Sequence, residues 1–336
     1  MPVKHWSFAG LLLTYWCNAR CASCYVCSSP QAGGDMSVEA ALAFWEGLQR
    51  ACPHGCRIHI GGGEPFGRWE VLIELARRAR RQHLGPLEAV ETNAFWATGE
   101  GIVRRRLAAL DAAGMGRLAI AADPYHQQYV PIERVRLAAR VAEEVLGAQR
   151  VRVRWRDWAR DGFDTDSLPP QRRQALFHCY AVGGRDRLAG RAAAEIAGLL
   201  PLEPAAAFAD SNCRARLLRS RHVHIDGEGI LCPGTCAGII LGRASRPESI
   251  ARIWQTLDQA FADKDETSPP LPGLEIIGLL ARRGPAALLD VAGARGYVPR
   301  PEGYAHKCQL CWDVRRWLFE KGYFRDQLGP EVTYTA

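Results

Sequence analysis

Short apolar runs alternate with longer amphipathic stretches through the first half of this chain, and that rhythm limits its fold more than any other feature. FAGLLLTY (8–15) precedes a helical pattern over 36–50, RIHIG (57–61) one over 68–82, and LEAVET (87–92) one over 99–113. The series continues with RLAIAAD (117–123) before 131–146 and VRVRW (151–155) before 170–180, and a weaker sixth strand is expected over 185–191. Strands and helices alternating at this spacing predict a parallel sheet, and units of this kind close into a full or partial barrel. Functional side chains are then expected at the C-terminal ends of the strands, where the connecting loops gather.

The rhythm breaks near residue 200, where LLPLEPAAAFAD (199–210) leads into a second half of different character. The expectation is therefore an α/β chain of two domains: a partial (β/α)6 TIM-like barrel over 1–200 and a smaller α+β domain over 201–336. RHVHIDGEGILC (221–232) alternates with the strand period around Asp226-Gly227-Glu228-Gly229 and predicts a hairpin. Helices are expected over 248–262, 273–283, 285–295 and 311–321. His222 and His224 fall on one side of the first hairpin strand and read as surface or hydrogen-bonded histidines.

Cysteine use narrows the chemistry. The chain has 12, and LTYWCNARCASCYVC (13–27) holds four of them. MPVKHW opens the sequence without a long apolar signal segment, and no apolar run reaches the ~18 residues of a membrane span. A cytoplasmic location is expected, where thiols stay reduced and clustered cysteines imply metal or redox chemistry more than crosslinks. Buried thiols and a tetrahedral zinc site made of Cys17, Cys21, Cys24 and Cys27 stand beside an iron–sulfur site as readings of the spacing alone. The formal charge is +7, but only four of the 43 basic residues are Lys, so the excess reflects Arg usage. Arg77-Arg78, Arg104-Arg105-Arg106 and Arg172-Arg173 lie in helix-like stretches and read as solvated faces, with nucleic acid not expected as a partner. An acidic electron-donor protein is a partner such faces suit.

Cys17, Cys21 and Cys24, spaced C-x3-C-x2-C, follow the first strand, and GGGEPFG (61–67) ends the second. Together they resemble the radical S-adenosylmethionine (radical SAM) enzymes. The resemblance implies a 4Fe-4S cluster on three thiolates, its open iron binding S-adenosyl-L-methionine, and a 5'-deoxyadenosyl radical that abstracts hydrogen from substrate. It also places Gly62, Gly63 and Glu64 at the cofactor's methionine end, and Thr92, Asn93, Asp123, Arg152 and Arg154 as polar contacts to cofactor or substrate. Gly190-Arg191-Ala192 looks like a family segment near the end of the barrel. Many members carry an aromatic residue before the third cysteine, whereas Ser23 stands there and Tyr25 follows. Cys27 is left as a buried thiol beside the cluster, and Cys52 and Cys56 in CPHGC read as packing rather than a metal pair. In DPYHQQYVP (123–131), Tyr125, His126 and Tyr129 are expected over the mouth, with His126 and Tyr129 as candidate proton donors.

Cys213, Gly227 and Cys232, followed after a long gap by Cys308-x2-Cys311, resemble the twitch and SPASM auxiliary-cluster modules of the same enzymes. With no cysteine after Cys311, the resemblance implies one auxiliary 4Fe-4S cluster on Cys213, Cys232, Cys308 and Cys311, with Cys236 an alternative ligand in place of Cys213. A zinc site on the same residues is the structural alternative. The expected activity is oxidative or maturase-type chemistry on a peptide or a small molecule. Its expected partners are a flavodoxin or ferredoxin-type electron donor and, for a peptide, a separate leader-binding protein. An iron–sulfur sensor or scaffold is the non-enzymatic alternative.

Overall fold

The computed structural model describes residues 3–184, 186–261 and 272–335. Its first half realises the predicted alternation: β1 (Phe8–Leu12), α1 (Val38–Ala51), β2 (Arg57–Gly61), α2 (Trp69–Arg81), β3 (Leu87–Thr92), α3 (Glu100–Ala112), β4 (Arg117–Ala121), α4 (Ile132–Leu146) and β5 (Val151–Arg154). Short α5 (Arg156–Asp161), α6 (Pro170–Val182) and short α7 (Arg191–Glu195) follow. The second half adds α8 (Arg214–Leu217), the hairpin β6 (His222–Ile225) and β7 (Ile230–Pro233), β8 (Gly242–Arg243), α9 (Pro247–Phe261), α10 (Glu275–Arg282), α11 (Gly284–Gly293) and α12 (Lys307–Glu320). The expected helix end at 262 lies outside the described residues. Among the described residues, no helix is long and apolar enough to cross a membrane.

Among the described residues, eight strands form one sheet in the order β5-β4-β3-β2-β1-β6-β7-β8. β1 to β5 are parallel, and β6 runs parallel to β1 on the edge away from β2. This order corrects the expected sixth strand near 185–191. Residue 185 lies outside the described residues, and 186–190 form no ladder. The backbone hydrogen bonds of this stretch go elsewhere: Arg191 N–H donates to the Cys24 carbonyl (3.0 Å), so the segment clamps the cysteine loop instead of extending β5. The sheet also crosses the expected boundary at 200, because β6 hydrogen-bonds directly to β1.

Period-two alternation decides what each face of the sheet meets. Ala9, Leu11, Ile58, Ile60, Val90, Leu118, Ile120, Val223 and Ile225 are buried in one apolar core with Trp45 and Leu48 of α1, Leu72 and Leu75 of α2, Leu107 of α3 and Val135 of α4. α1 shows the local logic: Ser37 caps it by accepting the Ala40 N–H (3.1 Å), and Ala41, Leu42, Phe44, Trp45 and Leu48 make its buried stripe. The opposite face carries Gly10, His59, Glu91, Arg152, Arg154, His222 and His224. A parallel sheet covered on both sides needs apolar residues on both. Here the second face mixes those polar groups with Phe8, Leu12 and Ala89 and stays open at Glu91, Arg152 and Arg154.

α12 begins earlier than the sequence pattern indicates. His306 caps it through Nδ1, which accepts the Cys308 N–H (3.1 Å), so Cys308 stands in the first turn and Cys311 at the start of the second.

Beyond β2 the pairing with the neighbouring chain continues through Gly62 and Gly63. Leu13 N–H donates to Gly61 O, Gly63 N–H to Thr14 O and Glu64 N–H to Trp16 O. A Cβ on Gly63 would stand 2.1 Å from Trp16 O. Gly63→Ala should therefore lower the urea midpoint by the equivalent of roughly 1–3 kcal/mol. Gly33→Ala, where a Cβ meets nothing within 4 Å, should leave the midpoint within error; equal midpoints for the two variants would refute this account.

Candidate functional site

The ends of the parallel strands bring together most of the residues singled out from the sequence. The chain leaving β1 is pinned to the end of β2 by the three backbone bonds above and then forms the loop of Cys17, Cys21 and Cys24. Cys17 N–H reaches Ser29 O (3.1 Å) and Cys24 N–H reaches Cys21 O (3.1 Å). Cys17 Sγ accepts hydrogen bonds from Ala19 N (3.4 Å) and Asn93 Nδ2 (3.6 Å), and Cys24 Sγ from Ser28 N (3.3 Å).

The thiols of Cys17 and Cys21 each feel neighbouring sulfurs. Burial, then the Glu64 charge, with a smaller push from Cys24, raises the Cys17 thiol to about 12. Burial, then Cys17, Asp123 and Cys24, lifts Cys21 well above its ordinary value. Thiols gathered this closely away from water resist ionisation unless positive charge joins them.

One positive charge is built in. Arg191 is 1% exposed, and its guanidinium donates to the carbonyls of Cys21 (3.0 Å), Cys27 (2.9 Å) and Ser28 (3.0 Å). Its Nε is buried without a partner. Cys27 turns away: at φ 58° its Sγ donates to Thr333 O (3.5 Å), so the fourth sulfur of the run is committed elsewhere.

Glu64 lies beneath this loop, fully buried, and accepts from Thr92 Oγ1 (2.8 Å), Asn93 N (2.6 Å) and Phe66 N (3.1 Å). Burial raises its carboxyl to about 7 against those bonds. Thr92 also accepts from Trp96 Nε1 (3.0 Å), so Glu64 and Thr92 tie the ends of β2 and β3 together, while Asn93 reaches the cysteine loop.

At the end of β4, Asp123 is buried and accepts His126 Nδ1 (2.8 Å) together with the N–H groups of Tyr125 and His126. Burial pushes its carboxyl up, but the His126 charge and hydrogen bonds hold it below the ordinary range. Tyr129 is 38% exposed and lies within electrostatic range of Cys21. Tyr125 departs from the sequence expectation of a mouth residue: it is buried, with its hydroxyl on Asp186 (3.0 Å). Asp186 also receives Arg154 (2.8 Å), whereas Arg152 stands exposed one step earlier on the same face.

The second group of cysteines meets where the hairpin faces α12. Apart from burial, Cys213 is shifted most by Cys311, Cys236 and Lys307, and Cys308 by Cys311 and Cys236. Cys232 adjoins Cys236, but Asp226 is its strongest charged neighbour, and it accepts a hydrogen bond from the Gly238 backbone. Arg315, one turn along α12 from Cys311, is buried and donates from Nε to Cys311 Sγ (3.4 Å) and from Nη1 to Ala237 O (3.0 Å) and Tyr334 Oη (2.9 Å). Sequence reasoning passed over Arg315, although Cys311-x3-Arg315 places both on one helix face. Cys52 and Cys56 are buried at the opposite end of β2, where Cys56 Sγ donates to Arg57 O (3.9 Å).

Spacing separates the two metal readings. Four thiolates on one zinc at ~2.3 Å stand about 3.8 Å apart. Among the described residues, the only three ligand atoms of His, Cys, Asp or Glu within 4.8 Å of one another belong to His59, His222 and His224. Both cysteine groups are thus more widely set than a single zinc ion requires.

No family model matches the chain, and no curated protein does. Among solved structures it is similar to BtrN in complex with AdoMet and 2-DOIA, at 14% identity and a TM-score of 0.44, over 76% of this chain and 87% of that one. It is also similar to native anSMEcpe with bound AdoMet and Cp18Cys peptide (17% identity, TM-score 0.33, 45% of this chain and 42% of that one) and to a hexahistidine-tagged anSMEcpe with bound AdoMet (18%, 0.33, 45% and 41%).

Arg191→Met should remove the charge that gathers three loop carbonyls and cost at least ~3 kcal/mol in urea denaturation. Arg20→Met, which removes only an exposed pair with Glu195, should cost less than ~1 kcal/mol. Similar losses for the two would show that the clamp does not hold the loop.

Proposed function

We propose that this chain is a radical SAM enzyme with one auxiliary iron–sulfur site. The observation that carries the proposal is a loop presenting the thiols of Cys17, Cys21 and Cys24, the first two buried, held by a buried guanidinium, with the fourth cysteine of the run turned away onto Thr333. Cys17, Cys21 and Cys24 would hold a 4Fe-4S cluster that leaves one iron for S-adenosylmethionine, supplying, when bound, an electron for its cleavage to a hydrogen-abstracting 5'-deoxyadenosyl radical. The wide thiol spacing fits such a cluster, and the N–H donors on Cys17 and Cys24 are of the kind that tune its potential.

The chain's own residues supply position. Glu64 and Thr92 lock the two strand ends under the loop, and Gly62 and Gly63 let its backbone close on β2. Asp123 holds His126 by Nδ1, leaving Nε2 as the atom that would exchange a proton with substrate, and Tyr129, near Cys21, is a second candidate donor. Arg154, Arg152 and Glu91 on the open sheet face suit a polar substrate, either a peptide or a small molecule.

For the auxiliary site we assign Cys213, Cys308, Cys311 and one member of the hairpin pair Cys232 and Cys236. Arg315 would be its buried counter-charge, and the start of α12 adds favourable dipole to Cys308 and Cys311. The resemblance to the twitch pattern favours Cys232, and the mutual charge of the thiols favours Cys236.

Anaerobically reconstituted protein should bind about eight irons per chain, and the triple variant C17A/C21A/C24A about four. With dithionite, the wild type should release 5'-deoxyadenosine from S-adenosylmethionine and the triple variant none; unchanged iron in the variant refutes the assignment.

Conversely, C308S/C311S should lose the other half of the iron and keep the first site. Of C232S and C236S, the one that lowers iron names the fourth ligand; if neither does, the four-cysteine site is wrong.

A further inference from the structure

On the second face of the sheet, with His224 directly opposite Cys232 of β7, three histidines meet across three strands. β1 lies between β2 and β6, and Gly10 is in register with His59 on one side and His224 on the other. A Cβ at position 10 would stand 2.4 Å from His59 Nε2 and 2.2 Å from His224 Cδ2, so the missing side chain is what lets the flanking rings approach. His222, two residues before His224, brings its Nε2 to 2.9 Å from His59 Nε2. The three residues offer ligand atoms that all lie within 4.8 Å of one another.

Several features suit these rings to a cation. His59 and His224 are 3% and 4% exposed, and His59 Nδ1 is buried without a hydrogen bond. Glu91 Oε1 stands 3.4 Å from that Nδ1, in the place of the carboxylate that orients a metal-bound imidazole. Burial, then the neighbouring His59, lowers His222 to about 3, and burial with His222 lowers His224 well below its ordinary value. Burial thus favours the neutral imidazole, the form that ligates a metal, and a bound ion would take the place of the proton shared between His59 Nε2 and His222 Nε2. Arg187 adds positive charge nearby, which Glu91 offsets. We infer that His59, His222 and His224 form a site for one divalent transition-metal ion, held by three imidazoles with a fourth position open toward the polar face. Imidazole ligation selects zinc, iron, copper or nickel over magnesium or calcium, and three ligands with one open position is the arrangement of a metal that binds water or substrate.

The test uses full-length protein, purified anaerobically with its iron, dialysed against a chelator and titrated with Zn2+ alone. One zinc per chain should be retained, with zinc-edge X-ray absorption showing nitrogen or oxygen neighbours at about 2.0–2.1 Å and no sulfur shell near ~2.3 Å. His222→Ala should weaken zinc binding by at least about 100-fold, and the isosteric Glu91→Gln by about 10–100-fold, with iron content and far-UV circular dichroism unchanged. His222 is the most exposed of the three, so its variant is chosen to spare the fold, and Glu91→Gln reads the site without removing a ligand. A sulfur shell, zinc binding that His222→Ala leaves unaltered, or no retained zinc would each overturn the inference and show the rings to be joined by a shared proton between His59 and His222. None of these outcomes depends on the cysteine sites, whose iron is counted separately.

Discussion

The buried guanidinium of Arg191 is the interaction on which the candidate site depends. A loop that presents three thiols to one point must also turn its carbonyls somewhere, and unpaired carbonyls away from water are costly. Arg191 collects those of Cys21, Cys27 and Ser28 and adds a positive charge beneath the sulfurs. Arg315 repeats the device in the second group, joining a cysteine sulfur, a backbone carbonyl and a tyrosine hydroxyl. Each cysteine group is thus organised around one buried arginine, within a chain whose other arginines mostly face water.

Legibility in the sequence follows physical range. The five parallel strands and the helices between them were readable because each declares itself locally, through period-two and period-3.6 patterns. The position of β6 was not, because a hairpin's own residues do not say which strand of a distant sheet it will join. The supposed sixth strand failed for a related reason: the stretch that ends at Arg191 is held by the cysteine loop, 163 residues or more away in sequence.

Among the candidate residues, the local motifs led to side chains that do converge, but the roles shifted. Gly63 is shaped by contact with Trp16, and Glu64 by the need to join two strand ends; neither fact is visible in GGEP. Arg315 and the Gly10 cradle were missed because their meaning lies in partners supplied by other elements. His222 and His224, read as surface or hydrogen-bonded residues, are half-buried and buried, and His222 is hydrogen-bonded to His59.

The bond from Cys27 to Thr333 spans 306 positions of sequence, and Trp312 Nε1 donates to the same carbonyl. During synthesis, the cysteine loop therefore emerges long before the segment that closes over it. Arg191 is added midway and the Thr333 carbonyl later still. The first thiols made are among the last to be sealed, which leaves an interval, set by the rate of translation, in which the loop stands open on a sheet already partly formed.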